Sequence, residues 1–184
     1  MTTMIRTAKG QMIPFIAALL LFLAFPAAQA AETASARASK APAFSAVGID
    51  GKAVSSRQFA GKAYIVNFFA SWCPPCRSEI PDMVALQKAY KAKGFTFIGV
   101  AVSENDDSIK SFMKSSGINY PVLMADQKLI NAYGRYVDGG IRSIPTTFVV
   151  NRSGQITQII TGARSKAVFE KVILDALKPA KAVK

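Results

Sequence analysis

The two cysteines of the chain lie three positions apart, as Cys73-Pro74-Pro75-Cys76. An apolar run at residues 64–70 predicts a buried strand before them, and apolar residues at helical spacing predict a helix over residues 77–91. Because the first turn of a helix has free N–H groups and the positive end of the dipole, we expect Cys73 to form a thiolate more readily than a free cysteine. Cys76 is expected one turn further in and more shielded. An exposed, activated thiol with a second thiol behind it predicts thiol–disulfide exchange.

Three other interpretations of the cysteine pair remain open at this point. A structural disulfide across so short a loop removes little unfolded-state entropy, about 2 kcal/mol. A zinc site usually needs four Cys or His ligands, and the chain has no other cysteine and no histidine. The cysteines could also be two small buried side chains. The position between a strand and a helix favours a redox pair, so we expect no metal and no cofactor.

Residues 1–30 have the pattern of a secretory signal peptide. Arg6 and Lys9 precede an apolar run at residues 12–25, and the small residues Ala28 and Ala30 predict cleavage after Ala30. An uncleaved membrane anchor is the alternative, although the run is shorter than the roughly 20 residues that a spanning helix needs. Export would place the protein in an oxidising compartment, where disulfides persist.

The rest of the chain is predicted to hold one domain at residues 41–178, between a flexible leader at 31–40 and a basic tail at 179–184. The formal net charge is +12. The basic residues are scattered and form no stripe with interleaved aromatic residues, so nucleic acid is not an expected partner. Weak attraction to anionic lipid headgroups or to an acidic partner stays open.

The order of predicted elements indicates an α/β fold. Before the cysteines, residues 44–49 and 52–54 predict a hairpin around the Asp50-Gly51 turn. After the helix at 77–91, the pattern predicts strands at 95–102, 122–124, 144–150 and 155–161, and helices at 108–116, 126–133 and 166–177. In the last helix we expect four residues to face the core: Val168, Val172, Ile173 and Leu177. The order β-α-β-α, then hairpin, then helix predicts a central mixed sheet flanked by helices, with an N-terminal β-hairpin extension.

Two segments carry a resemblance to a known family: residues 67–79, NFFASWCPPCRSE, and residues 143–148, SIPTTF. Together they resemble the thioredoxin fold and, more narrowly, the TlpA/ResA/DsbE-like family of exported thiol–disulfide oxidoreductases. The resemblance implies a periplasmic or membrane-tethered reductant of particular protein disulfides, and some family members serve cytochrome c maturation. It also implies re-reduction by a membrane thiol-transfer protein of the DsbD/CcdA type. We expect a monomer.

The resemblance also assigns roles to residues. Cys73 matches the attacking thiol and Cys76 the resolving thiol. Pro145 matches the proline that follows a cis peptide bond beside the active site, and proline is the residue for which a cis bond is inexpensive. A cis bond would turn the backbone of Ile144 towards the cysteines, where it could pair with a substrate strand, and Trp72 is assigned to substrate binding with it. The alternative for Pro145 is an ordinary proline at a strand edge.

Asn67 and Glu79 distinguish the chain from ordinary thioredoxins. Those proteins carry a buried aspartate where this chain has Asn67, whereas Glu79 matches a glutamate that the resembled family has just past the second cysteine. The i to i+3 spacing puts Glu79 on the helix face of Cys76. It is therefore a candidate to accept the proton of the resolving thiol. The alternative is a solvated charge on the helix surface.

Other functions on the same fold are less well supported by the residues. A thiol oxidant would share the chemistry and differ in potential, about −120 mV for a strong oxidant against about −270 mV for thioredoxin. A peroxidase of the peroxiredoxin type needs threonine three residues before the reactive cysteine, where this chain has Ala70. A copper chaperone related to this family uses CxxxC and a histidine, and this chain has CxxC and no histidine.

Overall fold

The computed structural model describes residues 39–179, so the predicted signal peptide, leader residues 31–38 and tail residues 180–184 lie outside the described part. The strands are β1 Ser39–Lys40, β2 Ser45–Val47, β3 Ala53–Ser55, β4 Ala63–Phe69, β5 Phe95–Ala101, β6 Val122–Met124, β7 Thr146–Val150 and β8 Gln155–Thr161. The helices are α1 Pro74–Tyr90, α2 Asp106–Ser115, α3 Gln127–Gly134 and α4 Lys166–Leu177. Short 3₁₀ turns occupy Ser56–Phe59 and Lys91–Lys93.

Six strands form one mixed sheet in the order β1-β8-β7-β4-β5-β6. The pairs β4–β5 and β5–β6 are parallel, whereas β4–β7, β7–β8 and β1–β8 are antiparallel. This arrangement confirms the predicted mixed sheet. The first strand, Ser39–Lys40, lies inside the range that the sequence predicted as a flexible leader, and its two residues pair with Ile156 and Gln155 of β8.

Helices cover both faces of the sheet. Along β4, Ile65 and Phe69 belong to one buried cluster and Val66 and Phe68 to another, because successive side chains of a strand point to opposite faces. The first cluster contains buried residues of α1, α2 and α4, and the second contains those of α3. All seven residues of β4 are buried, as expected for a central strand covered on both sides.

The inward face of α4 differs from the expectation in one residue. Val168 is 38% exposed, so its predicted core position is wrong. The buried residues of this helix are Phe169, Val172, Ile173 and Ala176. This i, i+3, i+4, i+7 stripe places the larger side chain of Phe169 in the core.

The hairpin extension forms as predicted. Strands β2 and β3 pair antiparallel in a separate two-stranded sheet. The hairpin contacts the edge of the main sheet, where Gly48 bridges Leu123 and the Ile49 N–H donates to the Val122 carbonyl at 2.8 Å. It therefore protects part of the β6 edge, which would otherwise expose unpaired backbone groups.

Helix α1 begins earlier than the predicted start at residue 77. It begins at Pro74, with Cys73 as its N-cap residue. Proline suits the first helical positions because their N–H groups have no partner within the helix and the ring fixes a helical φ. Within residues 39–179, none of the helices combines the length and apolarity required to cross a membrane.

Candidate active site

The cysteine pair lies where the central strand ends and α1 begins. Cys73 and Cys76 form a disulfide, with their Cα atoms 5.3 Å apart. The Cys76 N–H points at the Cys73 sulfur at an N–S distance of 3.4 Å. The sulfur of Cys73 thus occupies the N-cap position, where a thiolate of the reduced form would accept backbone hydrogen bonds.

The exposure of Cys73 is lower than the sequence predicted. Cys73 is 4% exposed and Cys76 is fully buried, so the expectation of an exposed Cys73 is wrong for this disulfide form. The residues before Pro74 form a tight turn, in which the Cys73 N–H donates to the Ala70 carbonyl at 3.3 Å. The expected order of exposure between the two cysteines nevertheless holds.

The loop before β7 lies directly beside the disulfide. The Ile144–Pro145 peptide bond is cis, as expected. The carbonyl oxygen of Ile144 lies 3.8 Å from the Cys73 sulfur, so the backbone of Ile144 does face the cysteines. Pro145 is buried, and its carbonyl accepts a hydrogen bond from the Gly162 N–H at 2.8 Å, which ties this loop to the end of β8.

Trp72 presents its ring to solvent immediately before Cys73. Trp72 is 59% exposed, whereas the adjoining Cys73 is 4% exposed. The indole N–H donates to the Ser103 carbonyl at 3.2 Å, and the Ser71 N–H donates to the Glu104 carboxylate. Ser103 has φ 52°, a left-handed conformation that is uncommon outside glycine. Sequence reasoning missed these contacts, because no local pattern links residues 71–72 to a loop 31 positions away.

Glu79 is buried rather than solvated. It is 2% exposed, so its interpretation as a surface charge is wrong. One carboxylate oxygen accepts from the Asn67 amide at 2.7 Å and the other from the Arg164 backbone N–H at 3.3 Å. Burial raises the pKa of Glu79 to about 7, although these two donors and the Arg164 charge act in the opposite direction.

Asn67 connects the central strand to Glu79. It is 1% exposed, and its amide nitrogen lies 3.5 Å from the Met83 sulfur as well as beside Glu79. Its amide oxygen is buried without a hydrogen-bond partner. The sequence identified Asn67 as unusual but did not pair it with Glu79. A polar residue inside a fully apolar strand was the available signal, because buried amides almost always have a partner.

A separate cavity of about 490 Å³ lies between the hairpin and α3. Its walls include Phe44, Ser56, Met124 and Leu129. None of the cysteines, Trp72 or the Ile144–Pro145 loop lines it, so this cavity is not part of the disulfide site.

Comparison with known proteins gives consistent matches over the described domain. The family model described as Redoxin matches residues 36–176. The thiol-disulfide oxidoreductase ResA of Bacillus subtilis (strain 168) is 31% identical over 142 residues, which cover 77% of this chain and 75% of that protein.

Solved structures agree with the sequence matches. A thiol:disulfide interchange protein of the thioredoxin family from Chlorobium tepidum TLS is 55% identical, with a TM-score of 0.76, and the match covers 78% of this chain and 99% of that one. A putative thiol:disulfide interchange protein DsbE from Chlorobium tepidum is 30% identical, with a TM-score of 0.68, over 77% of this chain and 97% of that one.

Proposed function

Because the chain belongs to the TlpA/ResA/DsbE-like family of thioredoxin-fold thiol–disulfide oxidoreductases, we propose that it reduces disulfides of particular exported proteins in the periplasm. The chemistry of the family is thiol–disulfide exchange with protein substrates. The observation that carries the proposal is the Cys73–Cys76 disulfide at the N-terminus of α1, with the Ile144 carbonyl 3.8 Å from the Cys73 sulfur. Apocytochrome c is one substrate class that this role would include.

The reaction begins on the reduced protein. The thiolate of Cys73 attacks one sulfur of the substrate disulfide, and the other substrate sulfur leaves as a thiolate that takes up a proton. This step forms a mixed disulfide between Cys73 and the substrate. The backbone of Ile144 faces the Cys73 sulfur, and Trp72 is exposed on the residue before Cys73, which supports the proposal that both hold the substrate segment.

The second step releases the reduced substrate. Cys76 loses its proton and attacks the Cys73 sulfur, which forms the disulfide described above and expels the second substrate thiolate. Glu79 is proposed to accept the Cys76 proton, directly or through a water. A carboxylate with a pKa of about 7 is suited to this role near neutral pH, because it can both accept and release the proton.

The dithiol must then be regenerated by an electron donor. The proposed donor is a membrane thiol-transfer protein of the DsbD/CcdA type, and the protein is proposed to act as a monomer after removal of residues 1–30. Each cycle moves two electrons and two protons from the donor to the substrate disulfide.

The redox potential of the cysteine pair tests the proposed direction. Equilibration of the full chain with glutathione buffers of known ratio, followed by alkylation and mass analysis, gives the midpoint. We expect a midpoint below about −200 mV, on the thioredoxin side of the scale. A value near −120 mV, typical of strong oxidants, would instead identify a thiol oxidant. Cys73→Ser, which cannot form the disulfide, is the control for non-specific oxidation.

A further inference from the structure

Three exposed arginines lie on the three segments that surround the disulfide. These segments are residues 71–79, 139–145 and 162–164, and the arginines are Arg77, Arg142 and Arg164. We call these three side chains the basic rim. They form no salt bridge with a carboxylate in the part of the chain that the structure describes.

Arg77 is held across the loop that precedes the attacking cysteine. Its guanidinium donates to the Ser71 carbonyl at 3.0 Å and lies 5.2 Å from the centre of the Phe112 ring. The hydrogen bond and the cation–π contact fix its charge between Ser71, the residue before Trp72, and Phe112. The guanidinium has five N–H donors and uses one of them here, so the others remain available to a ligand.

Arg142 and Arg164 belong to loops that adjoin β7 and β8, on the other side of β4 from β5, whereas Arg77 lies over Phe112 of the helix that follows β5. Arg142 lies two residues before Ile144. Its Nε donates a hydrogen bond to the Gly139 carbonyl at 2.7 Å. The Arg164 guanidinium donates to the carbonyls of residues 162 and 163 at 3.2 and 2.9 Å. The same segment donates from Gly162 to the Pro145 carbonyl, which places it against the cis-proline loop.

No acidic side chain of the three segments lies at the protein surface beside this charge. In the three segments the one acidic residue is Glu79, which is buried. On the neighbouring loop, the Glu104 carboxylate accepts a hydrogen bond from the Ser71 N–H. At the start of α2, a carboxylate oxygen of Asp106 lies 3.9 Å from the Lys110 Nζ. Asp107 and Asp138 are exposed and lower the total charge, but they lie outside the three segments.

We propose that the basic rim selects protein disulfides whose cysteines are flanked by aspartate or glutamate. An incoming segment bound beside Ile144 passes between Arg77 on one side and Arg142 and Arg164 on the other. Carboxylates on that segment can form charge-assisted hydrogen bonds with the free guanidinium donors. The inference deepens the proposed function and depends on it, since it names the substrates of the same site.

The test measures reduction of matched peptides. Each peptide has the same internal disulfide, with the residues next to its cysteines acidic, neutral or basic. The fully reduced full chain is mixed with the oxidised peptide and no other reductant. Two electrons pass from the Cys73–Cys76 dithiol to the peptide disulfide, so protein disulfide and peptide dithiol form in equal amounts. The second-order rate constant is followed by quenched alkylation.

We expect the acidic peptide to be reduced about three- to tenfold faster than the neutral peptide at low salt, and the basic peptide more slowly. At about 0.5 M salt the differences should fall below about twofold, because the charges are exposed and screened. Equal rate constants for the three peptides at low salt would overturn the proposal. Failure to reduce any peptide would instead contradict the proposed reductase function.

Substitution of the rim locates the effect. The double variant Arg142→Gln/Arg164→Gln keeps the backbone N–H that Glu79 accepts, so the site retains that contact. It should remove most of the preference for the acidic peptide, measured as the ratio of the acidic to the neutral rate constant. A change that affects both peptides equally, such as a higher Glu79 pKa after loss of the Arg164 charge, cancels in this ratio.

The matched control is Arg57→Gln/Lys62→Gln, with the same change in charge near the start of β4, at the opposite end of that strand from Cys73. The control should keep the preference. If both double variants lose it equally, overall charge and not the rim is responsible, and the proposal is wrong.

Discussion

At the scale of single residues, the two sulfurs differ in access. Cys73 retains some exposure and Cys76 has none, because Cys76 lies inside the first turn of α1. We expect Cys76→Ser to accumulate a mixed disulfide through Cys73, since the resolving attack is missing. Non-reducing electrophoresis with peptide mapping of the trapped complex measures this. Trapping through Cys76 in the Cys73→Ser variant would reverse the assignment of the two roles.

The ionisation of Glu79 should make stability depend on pH. Its folded pKa of about 7 exceeds its ordinary value of 4.5. Between these values the folded state binds more protons than the unfolded state, so the free energy of unfolding decreases as pH rises through this range. The decrease is about 3 kcal/mol for a shift of this size. Chemical denaturation of the oxidised protein between pH 4.5 and 8 measures it.

Glu79→Gln is the matched variant for this prediction. It should flatten the pH profile, because the amide does not titrate. Interpretation is simple in the oxidised protein, since disulfide-bonded cysteines do not titrate and the chain has no histidine. Equal slopes for the two proteins would show that Glu79 does not titrate in this range.

The same substitution tests the catalytic role. In the reduced protein, Glu79→Gln should lower at least one apparent cysteine pKa, because a neighbouring negative charge is removed. It should also slow resolution of the mixed disulfide near neutral pH. Alkylation rates and single-turnover reduction, each measured across pH, report the two effects. If neither profile changes, Glu79 has no part in proton transfer.

At the scale of elements, β5 approaches its neighbours too closely for a side chain at Gly99. A Cβ there would lie 2.8 Å from the Phe69 ring and 3.2 Å from a Val122 methyl group. We expect Gly99→Ala to destabilise the fold by about 1–3 kcal/mol through overpacking. Gly134→Ala is the control, since its nearest contacts are 3.5 and 3.6 Å. It should leave the denaturation midpoint unchanged or slightly higher, and an equal loss in both variants would contradict the packing argument.

At the scale of the whole molecule, the N-terminal prediction stays open. Residues 1–30 are predicted to be removed on export, so N-terminal sequencing of protein from an exporting host should begin at or near Ala31. A variant with arginine in place of Ala28 should be processed poorly, because small residues precede the cleavage point. Recovery of full-length wild-type protein in the membrane fraction would establish an anchor instead.

The sequence alone determined the elements whose signals are local. The apolar run of β4, the Asp50-Gly51 turn and the exact limits of β8 and α4 follow from side-chain periodicity and turn residues, which neighbouring positions encode. The cysteine pair was placed correctly between strand and helix for the same reason. Other boundaries differ, and α1 begins three residues before its predicted start because two prolines fit the first helical turn.

The tertiary structure decided which distant residues meet at the disulfide. Residue 144 comes within reach of Cys73, residue 164 donates to Glu79, and residue 103 accepts from Trp72. These contacts depend on strand order, because the neighbouring strands β8, β7, β4 and β5 bring loops from distant parts of the chain to the same region. The burial that raises the pKa of Glu79 also depends on this packing, since an isolated helix would leave the carboxylate in water.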